Sequence, residues 1–87
     1  MNISKREQRV LHVLAQGGCI RHLREDDRSR RITGILCMTR DGALLADCDL
    51  DLFGQLRSRR LIGSLNGEPY RITRKGRLAV RAQADNR

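Results

Sequence analysis

Three aspartates at alternate positions, Asp47, Asp49 and Asp51, are the residues whose type and spacing could hold a divalent metal, as in a nuclease. Carboxylates must converge on one point to bind such an ion. Residues two apart on a helix lie about 200° apart around its axis, so these three cannot share one ion where they open a helix. Helix capping and pairing with the positive end of the helix dipole explain them without catalysis.

The cysteines and histidines offer little further chemistry. Cys19 and His22 could form half of a zinc site, but no second ligand pair follows at a suitable spacing. An odd cysteine count (Cys19, Cys37 and Cys48) argues against a disulfide scaffold and favours small buried apolar side chains. His12 has no nucleophile partner in a recognisable motif, and the glycine spacings fit no phosphate loop. The sequence therefore predicts a protein that is not an enzyme and needs no metal or cofactor.

Positive charge is the strongest compositional feature, with 18 basic against 10 acidic residues and a net charge of +8. Sixteen of the basic residues are arginines, whose forked guanidinium groups bind phosphates and carboxylates. An anionic partner is therefore expected, although an arginine-rich chain can also reflect a GC-rich genome, with most guanidiniums merely solvated. The predicted partner or nucleic-acid contacts form two groups: Arg57, Arg59 and Arg60, and Arg71, Arg74 and Lys75.

The length of 87 residues predicts one domain over residues 1–87, with a single small core. No apolar run reaches the about 18 residues that a membrane span requires. The first residues, MNISKREQRV, lack the apolar stretch of a secretory leader. A cytoplasmic location is expected.

The first half of the chain predicts a helix and a hairpin. Ser4 and Glu7 form a capping box at the start of a helix over 4–18, and Val10, Leu11 and Leu14 give it one apolar face. Gly17 or Gly18 should end it in the left-handed conformation. Strands are expected over 19–25 and 31–39, joined by a polar loop at 26–30, and 31–39 should be the better buried of the two. Asp41-Gly42 is a turn, and a third short strand is expected over 43–47.

The second half predicts a helix, a hairpin and a last helix. The helix over 47–60 is capped by Asp47 or Asp49 and should bury Leu52, Phe53 and Leu56. LIGSL and YRIT pair around NGEP, and Thr73 caps a helix from Arg74 to about Ala84 that packs Leu78 and Val80 inward. The order αββ(β)αββα predicts an α+β domain of winged-helix character, with a β-hairpin in place of one helix.

Sequence-specific DNA reading is disfavoured. A winged helix reads bases with the front of its recognition helix, where this chain carries Asp49, Asp51 and Gly54. Negative charge there opposes phosphates, and Tyr70 and Phe53 are too few to form a stacking platform. Non-specific duplex contact remains open.

Several separated segments, EQRVLHVLAQGG, RDGALLADCDLDLFGQL, LIGSLNGEPYRI and the ending VRAQADNR, resemble the YjhX family of small bacterial proteins. The likeness runs end to end and is weakest in REDDRSRRITG. It implies a toxin of a type II toxin–antitoxin pair that inhibits bacterial DNA topoisomerase I through protein–protein contact. It also implies an acetyltransferase-like antitoxin encoded alongside, and it assigns no functional residues to positions of this chain.

Charge narrows the expected mode of inhibition. An inhibitor that mimics DNA must be acidic to enter a positively charged channel, whereas this chain carries +8. The chain should instead grip an acidic patch on the topoisomerase or bridge the enzyme and DNA. The alternative function is that of a winged-helix DNA-binding transcriptional regulator.

Overall fold

Three helices and two antiparallel hairpins make up the residues described by a computed structural model of the protein, namely 3–24, 31–46 and 48–82. Their order is α1 (Lys5–Ala15), β1 (Cys19–Arg24), β2 (Ile32–Met38), α2 (Leu50–Ser58), β3 (Ile62–Gly63), β4 (Arg71–Ile72) and α3 (Arg74–Ala82). β1 pairs with β2, and β3 pairs with β4. The predicted α+β class and element order are confirmed, apart from the third strand.

Helix α1 begins and ends as its sequence predicts. The amide of Glu7 donates to Ser4 Oγ at 3.1 Å, and the amide of Ser4 donates to Glu7 Oε1 at 2.9 Å, which completes the capping box. Val10, Leu11 and Leu14 are buried on one face. Gly17 follows the helix with φ of 109°, a left-handed conformation that glycine adopts without a steric penalty.

The β1–β2 hairpin turns one face to the core. Ile20 lies opposite Cys37, and both are buried. As predicted, β2 is the better buried strand, with four half-buried residues against two in β1. The predicted loop over 26–30 lies outside the described residues.

The prediction of a third strand over 43–47 is wrong for its described part, because Leu44 makes only an isolated bridge to Met38. The turn at Gly42 allows two main-chain hydrogen bonds, from Thr39 to Ala43 and from Leu45 to Cys37, both at 2.8 Å. The described chain then buries Cys48 and begins α2 at Leu50. Asp47 lies outside the described residues.

Helix α2 is capped by Asp49, whose Oδ1 accepts from the amide of Leu52 at 2.8 Å. The predicted inward residues Leu52, Phe53 and Leu56 are buried. The following hairpin forms where predicted but is shorter, with Ile62 opposite Ile72.

Helix α3 is capped by Thr73 as predicted, since Thr73 Oγ1 accepts from the amide of Gly76 at 3.1 Å. The prediction that Leu78 packs inward is wrong, because its side chain is 54% exposed. Gly76 and Ala79 are buried instead, and Val80 packs partly against the core. A Cβ on Gly76 would lie 2.3 Å from the carbonyl oxygen of Leu61, so the helix approaches the core through its smallest residues. The helix is described to Ala82; the last predicted residues, 83 and 84, are outside the described part.

The two hairpins are hydrogen-bonded to each other through Ile20 and Tyr70. The amide of Ile20 donates to the carbonyl of Tyr70 at 2.9 Å, and the amide of Tyr70 donates back at 2.7 Å. The core contains residues from all three helices and both hairpins, so the described residues fold around one hydrophobic centre. None of the described helices has the length and apolar character required to cross a membrane.

Candidate partner-binding surface

The C-terminal end of α2 carries arginine in an unusual backbone conformation. The amide of Arg60 donates to the carbonyl of Arg57 at 3.0 Å, and the amide of Leu61 donates to the carbonyl of Leu56 at 2.9 Å. This is the Schellman pattern, in which the residue after the cap is usually a left-handed glycine. Here that residue is Arg60, with φ of 60°. The left-handed region is unfavourable for a residue with a Cβ.

A threonine joins this end of α2 to the start of α3. Thr73 Oγ1 donates to the carbonyl of Arg60 at 2.8 Å while accepting from the amide of Gly76. The amide of Thr73 also donates to the carbonyl of Leu61 at 3.0 Å. The backbones of the two cationic groups are therefore adjacent, because Arg60 of the first group is bonded to Thr73, which lies between Arg71 and Arg74 of the second.

Five of the six predicted contact residues are exposed. We call these five the basic junction: Arg57, Arg60, Arg71, Arg74 and Lys75. Arg57 extends over the ring of Phe53, with its guanidinium carbon 5.6 Å from the ring centroid. That distance allows a cation–π contact, which holds one cation of the junction against α2.

The sixth predicted residue, Arg59, has a structural contact. Its Nη1 lies 2.8 Å from Oε2 of Glu7, whose side chain is only 6% exposed. This ion pair fastens the C-terminal end of α2 to the first turn of α1. The predicted role of Arg59 in partner contact stays a prediction, and the basic junction is defined without it.

Two cations of the junction lie where the helix dipole opposes them. Arg74 and Lys75 open α3, and the first turn of α3 contains no acidic residue. Cations at a helix N-terminus are destabilising by about 0.3–1 kcal/mol each at the surface. The fold does not explain their presence there.

Three aromatic rings, which we call the aromatic row, are in contact beneath the Arg57 guanidinium: Phe53, Tyr70 and His22. The ring of Phe53 meets that of Tyr70 edge-on at 4.9 Å, and Tyr70 meets His22 edge-on at 5.4 Å. The row connects α2 with both hairpins, so Phe53 and Tyr70 are structural aromatics rather than a stacking platform. Sequence reasoning did not predict this row, because its members are distant in the chain.

Of the described aspartates at the start of α2, Asp49 has structural partners and Asp51 is exposed. Asp49 caps the helix with Oδ1 and pairs through Oδ2 with Arg6 Nη2 at 3.1 Å. The hydrogen bond from the Leu52 amide, followed by the Arg6 contact, lowers the pKa of Asp49. Within 3–24, 31–46 and 48–82, no three His, Cys, Asp or Glu side chains are grouped so that they could hold a metal. The capping role predicted for Asp49 is confirmed.

Two cysteines distant in sequence meet in the core. Cys37 and Cys48 are buried, and their thiols interact with one another. This contact lowers the pKa of Cys37 and raises that of Cys48, a rise that burial reinforces. The predicted burial is thus confirmed for these two, whereas Cys19 is half-buried.

These features define a class of protein: a small basic α+β domain whose polar clusters stabilise the fold and whose exposed cations are available to a partner. The chain belongs to the YjhX toxin family, whose model matches residues 1–87 and is described as "Putative toxin of bacterial toxin-antitoxin pair". A toxin of such a pair has an antitoxin as its partner.

Full-length relatives support this assignment. The chain is 62% identical to a UPF0386 protein of Beijerinckia indica and 62% identical to one of Brucella anthropi, in each case over the whole of both chains. It is 61% identical to a UPF0386 protein of Rhodospirillum centenum, over 100% of this chain and 99% of the relative. No solved structure matches the chain.

Proposed function

We propose that this protein is a type II toxin that inhibits bacterial DNA topoisomerase I by binding to it, without catalysing a reaction. The target follows from the resemblance to the YjhX family, and family membership supports the role of toxin. The observation that carries the mode of contact is the basic junction, in which the hydrogen bond from Thr73 to Arg60 joins two cationic groups.

Electrostatics favours an acidic patch on the enzyme as the site of contact. A chain of net charge +8 is repelled by a channel built to receive DNA. Guanidinium groups pair well with carboxylates, and four of the five residues of the junction are arginines. We therefore propose that the junction binds carboxylates outside the DNA channel and obstructs relaxation from there.

The local energetics of the junction support a functional role. Arg60 takes a left-handed conformation, and Arg74 and Lys75 oppose the dipole of α3. The helix end requires a left-handed residue at position 60 but not an arginine, and non-glycine residues in this conformation cluster at functional sites. All three residues lower the stability of the folded chain, but their positive charges favour the binding of an anionic partner.

A supercoil-relaxation assay with purified topoisomerase I tests this proposal. The variant Arg74→Glu/Lys75→Glu should be about tenfold or more weaker as an inhibitor, since like charges then face the enzyme. Its matched control, Arg24→Glu/Arg40→Glu, reverses two exposed cations outside the junction, one at the end of β1 and one in the turn after β2. Each pair lowers the net charge from +8 to +4, because every reversal replaces one positive charge by one negative charge.

The control separates local contact from net charge. Loss of inhibition only in the junction variant supports the proposal. Equal losses in both variants would show that total charge matters rather than this surface, and unchanged inhibition by a folded junction variant would exclude the junction. Added salt should weaken the wild-type inhibitor more than the junction variant.

The alternative function, DNA-binding regulation, is supported by the short β3–β4 hairpin and the cations that follow it. The exposed Asp49 and Asp51 at the front of α2 oppose it, since they would face phosphate. A gel-shift assay with duplex DNA beside the relaxation assay distinguishes the two. Tight DNA binding without an effect on relaxation would favour the regulator, and a ternary complex of this chain with enzyme and DNA in the gel-shift assay would favour bridging.

We also propose that the antitoxin is an acetyltransferase-like protein encoded alongside and that both proteins act in the cytoplasm. The gene neighbourhood of the chain tests the first part directly. Co-expression of the neighbouring gene should restore growth to cells that make this protein. Continued growth arrest with a well-expressed neighbour would contradict this assignment.

A further inference from the structure

The face of the β1–β2 hairpin that points away from the core carries exposed leucines beside one arginine. Because Ile20 and Cys37 face the core, the next residues along each strand face outward. Arg21 lies opposite Leu36 and Leu23 lies opposite Gly34 on this side. The Leu23 side chain covers Gly34, since a Cβ placed there would lie 3.3 Å from Leu23 Cδ1.

The turn after β2 extends this surface. Leu44 bridges to Met38, and residues directly opposite in an antiparallel pair share a face. Leu23, Leu36 and Leu44 are 47%, 39% and 66% exposed. We call five outward residues of this region the outer hairpin face: Arg21, Leu23, Leu36, Met38 and Leu44. Contiguous exposed apolar patches mark protein interaction sites, and these three leucines lie on neighbouring positions of one face.

We propose that the outer hairpin face is the docking surface for the antitoxin, which covers it with an acidic segment that also carries apolar side chains. The proposal rests on membership of a toxin–antitoxin family and is independent of which enzyme the toxin inhibits.

The chemistry of the face specifies that segment. Neither β1 nor β2 contains an acidic residue, and the exposed cation Arg21 lies opposite Leu36. A partner that buries the leucines must also neutralise Arg21, because a desolvated unpaired charge is costly. Carboxylates next to apolar side chains satisfy both requirements.

The difference in apolar content between the two surfaces favours the outer hairpin face as the binding site for the antitoxin. Stable complexes bury an apolar centre within a polar rim, whereas the basic junction consists of exposed cations without an apolar centre of its own. An antitoxin must hold the toxin durably, which the outer hairpin face permits. The two surfaces lie on different elements, the outer hairpin face on β1, β2 and the turn after it and the basic junction on α2, β4 and α3.

A binding experiment with matched leucines tests the assignment. The probe is the purified product of the gene next to that of this chain. Leu36→Glu/Leu44→Glu should weaken binding about 100-fold or more, because two desolvated carboxylates would face an acidic partner. The control is Leu65→Glu/Leu78→Glu, since Leu65 and Leu78 are 80% and 54% exposed and lie on the second hairpin and on α3. Its affinity should stay within about threefold of wild type.

A second measurement separates this proposal from the proposed function. The outer-face variant should still inhibit relaxation and arrest growth, but the antitoxin should no longer rescue the cells. Unfolding midpoints of both variants should match that of the wild type, since all four leucines are exposed. Conversely, the junction variant Arg74→Glu/Lys75→Glu should keep its affinity for the antitoxin.

Other occupants would overturn the proposal in recognisable ways. Unchanged antitoxin affinity with loss of a wild-type dimer would assign the face to a second copy of the chain. Loss of inhibition with unchanged antitoxin affinity would assign it to the target. No complex between the wild-type chain and the neighbouring gene product would also overturn the assignment.

Discussion

Glu7 and Arg59 are 52 positions apart in the chain, yet their side-chain oxygen and nitrogen lie 2.8 Å apart. The other carboxylate oxygen of Glu7 accepts from the amide of Ser4, so one side chain both begins α1 and fastens α2 to it. Glu7 is buried to 4% exposure, the one charged residue so buried among those described.

Substitutions at Glu7 should separate these two roles. Glu7→Gln can keep the capping box but loses the ion pair, and we expect a loss of about 1 kcal/mol in the free energy of unfolding. Glu7→Ala loses both roles and should lose about 2–3 kcal/mol. Urea denaturation of the two variants measures the difference. Equal losses would show that the capping box contributes nothing beyond the ion pair.

Two glycines within helices should respond to alanine in opposite directions. Gly54 in α2 has open space around its Cα, so Gly54→Ala should stabilise the fold by about 0.5–1 kcal/mol through helix propensity. Gly76→Ala places a methyl group against the carbonyl of Leu61 and should destabilise by about 3 kcal/mol. Thermal unfolding of both variants checks the signs. A stable Gly76→Ala variant would contradict the close approach of α3 to Leu61.

The same glycine shows why part of the fold was predictable and part was not. Caps and apolar spacing are local, so Ser4 and Thr73 could be identified as cap residues from the sequence alone, and Asp49 as one of two candidates with Asp47. The inward face of α3 depends on how near Leu61 lies, and hydrophobicity alone wrongly favoured Leu78 over Gly76 and Ala79.

The candidate site also combines features that local sequence predicts with features that depend on contacts between distant residues. Clustering along the chain was sufficient to select the cationic groups, but Arg59 could be separated from Arg57 and Arg60 only through Glu7, far away in sequence. The contact between Cys37 and Cys48 and the outer hairpin face depend on strand register, which the sequence did not specify beyond a hairpin.

The pH dependence of stability should include a component from Asp49. Its pKa is lowered from the ordinary 3.8, chiefly by the Leu52 amide and then by Arg6. A carboxylate with a depressed pKa stabilises the fold above its unfolded-state pKa, and this contribution disappears as pH falls through the folded-state value. Asp49→Asn keeps a good cap but cannot titrate. The wild type should therefore lose more stability than the variant between pH 7 and pH 2, as urea midpoints measured at both values would show; parallel losses would exclude this component.

The thiols should react in a fixed order. Cys19 is half-buried, while Cys37 and Cys48 are 2% and 9% exposed. The interaction with Cys37 and burial raise the pKa of Cys48, which further reduces its thiolate fraction. With an alkylating reagent at pH 8, Cys19 should react first, and the other two should react only when the chain opens. Mass spectrometry of peptides from partly labelled protein would show this order, and early labelling of Cys48 would contradict it.

Arg60→Gly should change stability and function in opposite directions. Glycine is the preferred residue at a left-handed helix end, so this substitution should raise the free energy of unfolding by about 1 kcal/mol. It also removes one cation of the basic junction, so inhibition of topoisomerase I should weaken about three- to tenfold. Arg60→Asn provides the matched control, because asparagine also tolerates this conformation and carries no charge. Both variants should unfold at higher denaturant than the wild type and inhibit less well. A variant that is more stable and equally inhibitory would remove Arg60 from the contact surface, whereas a less stable one would show that its long side chain supports the fold.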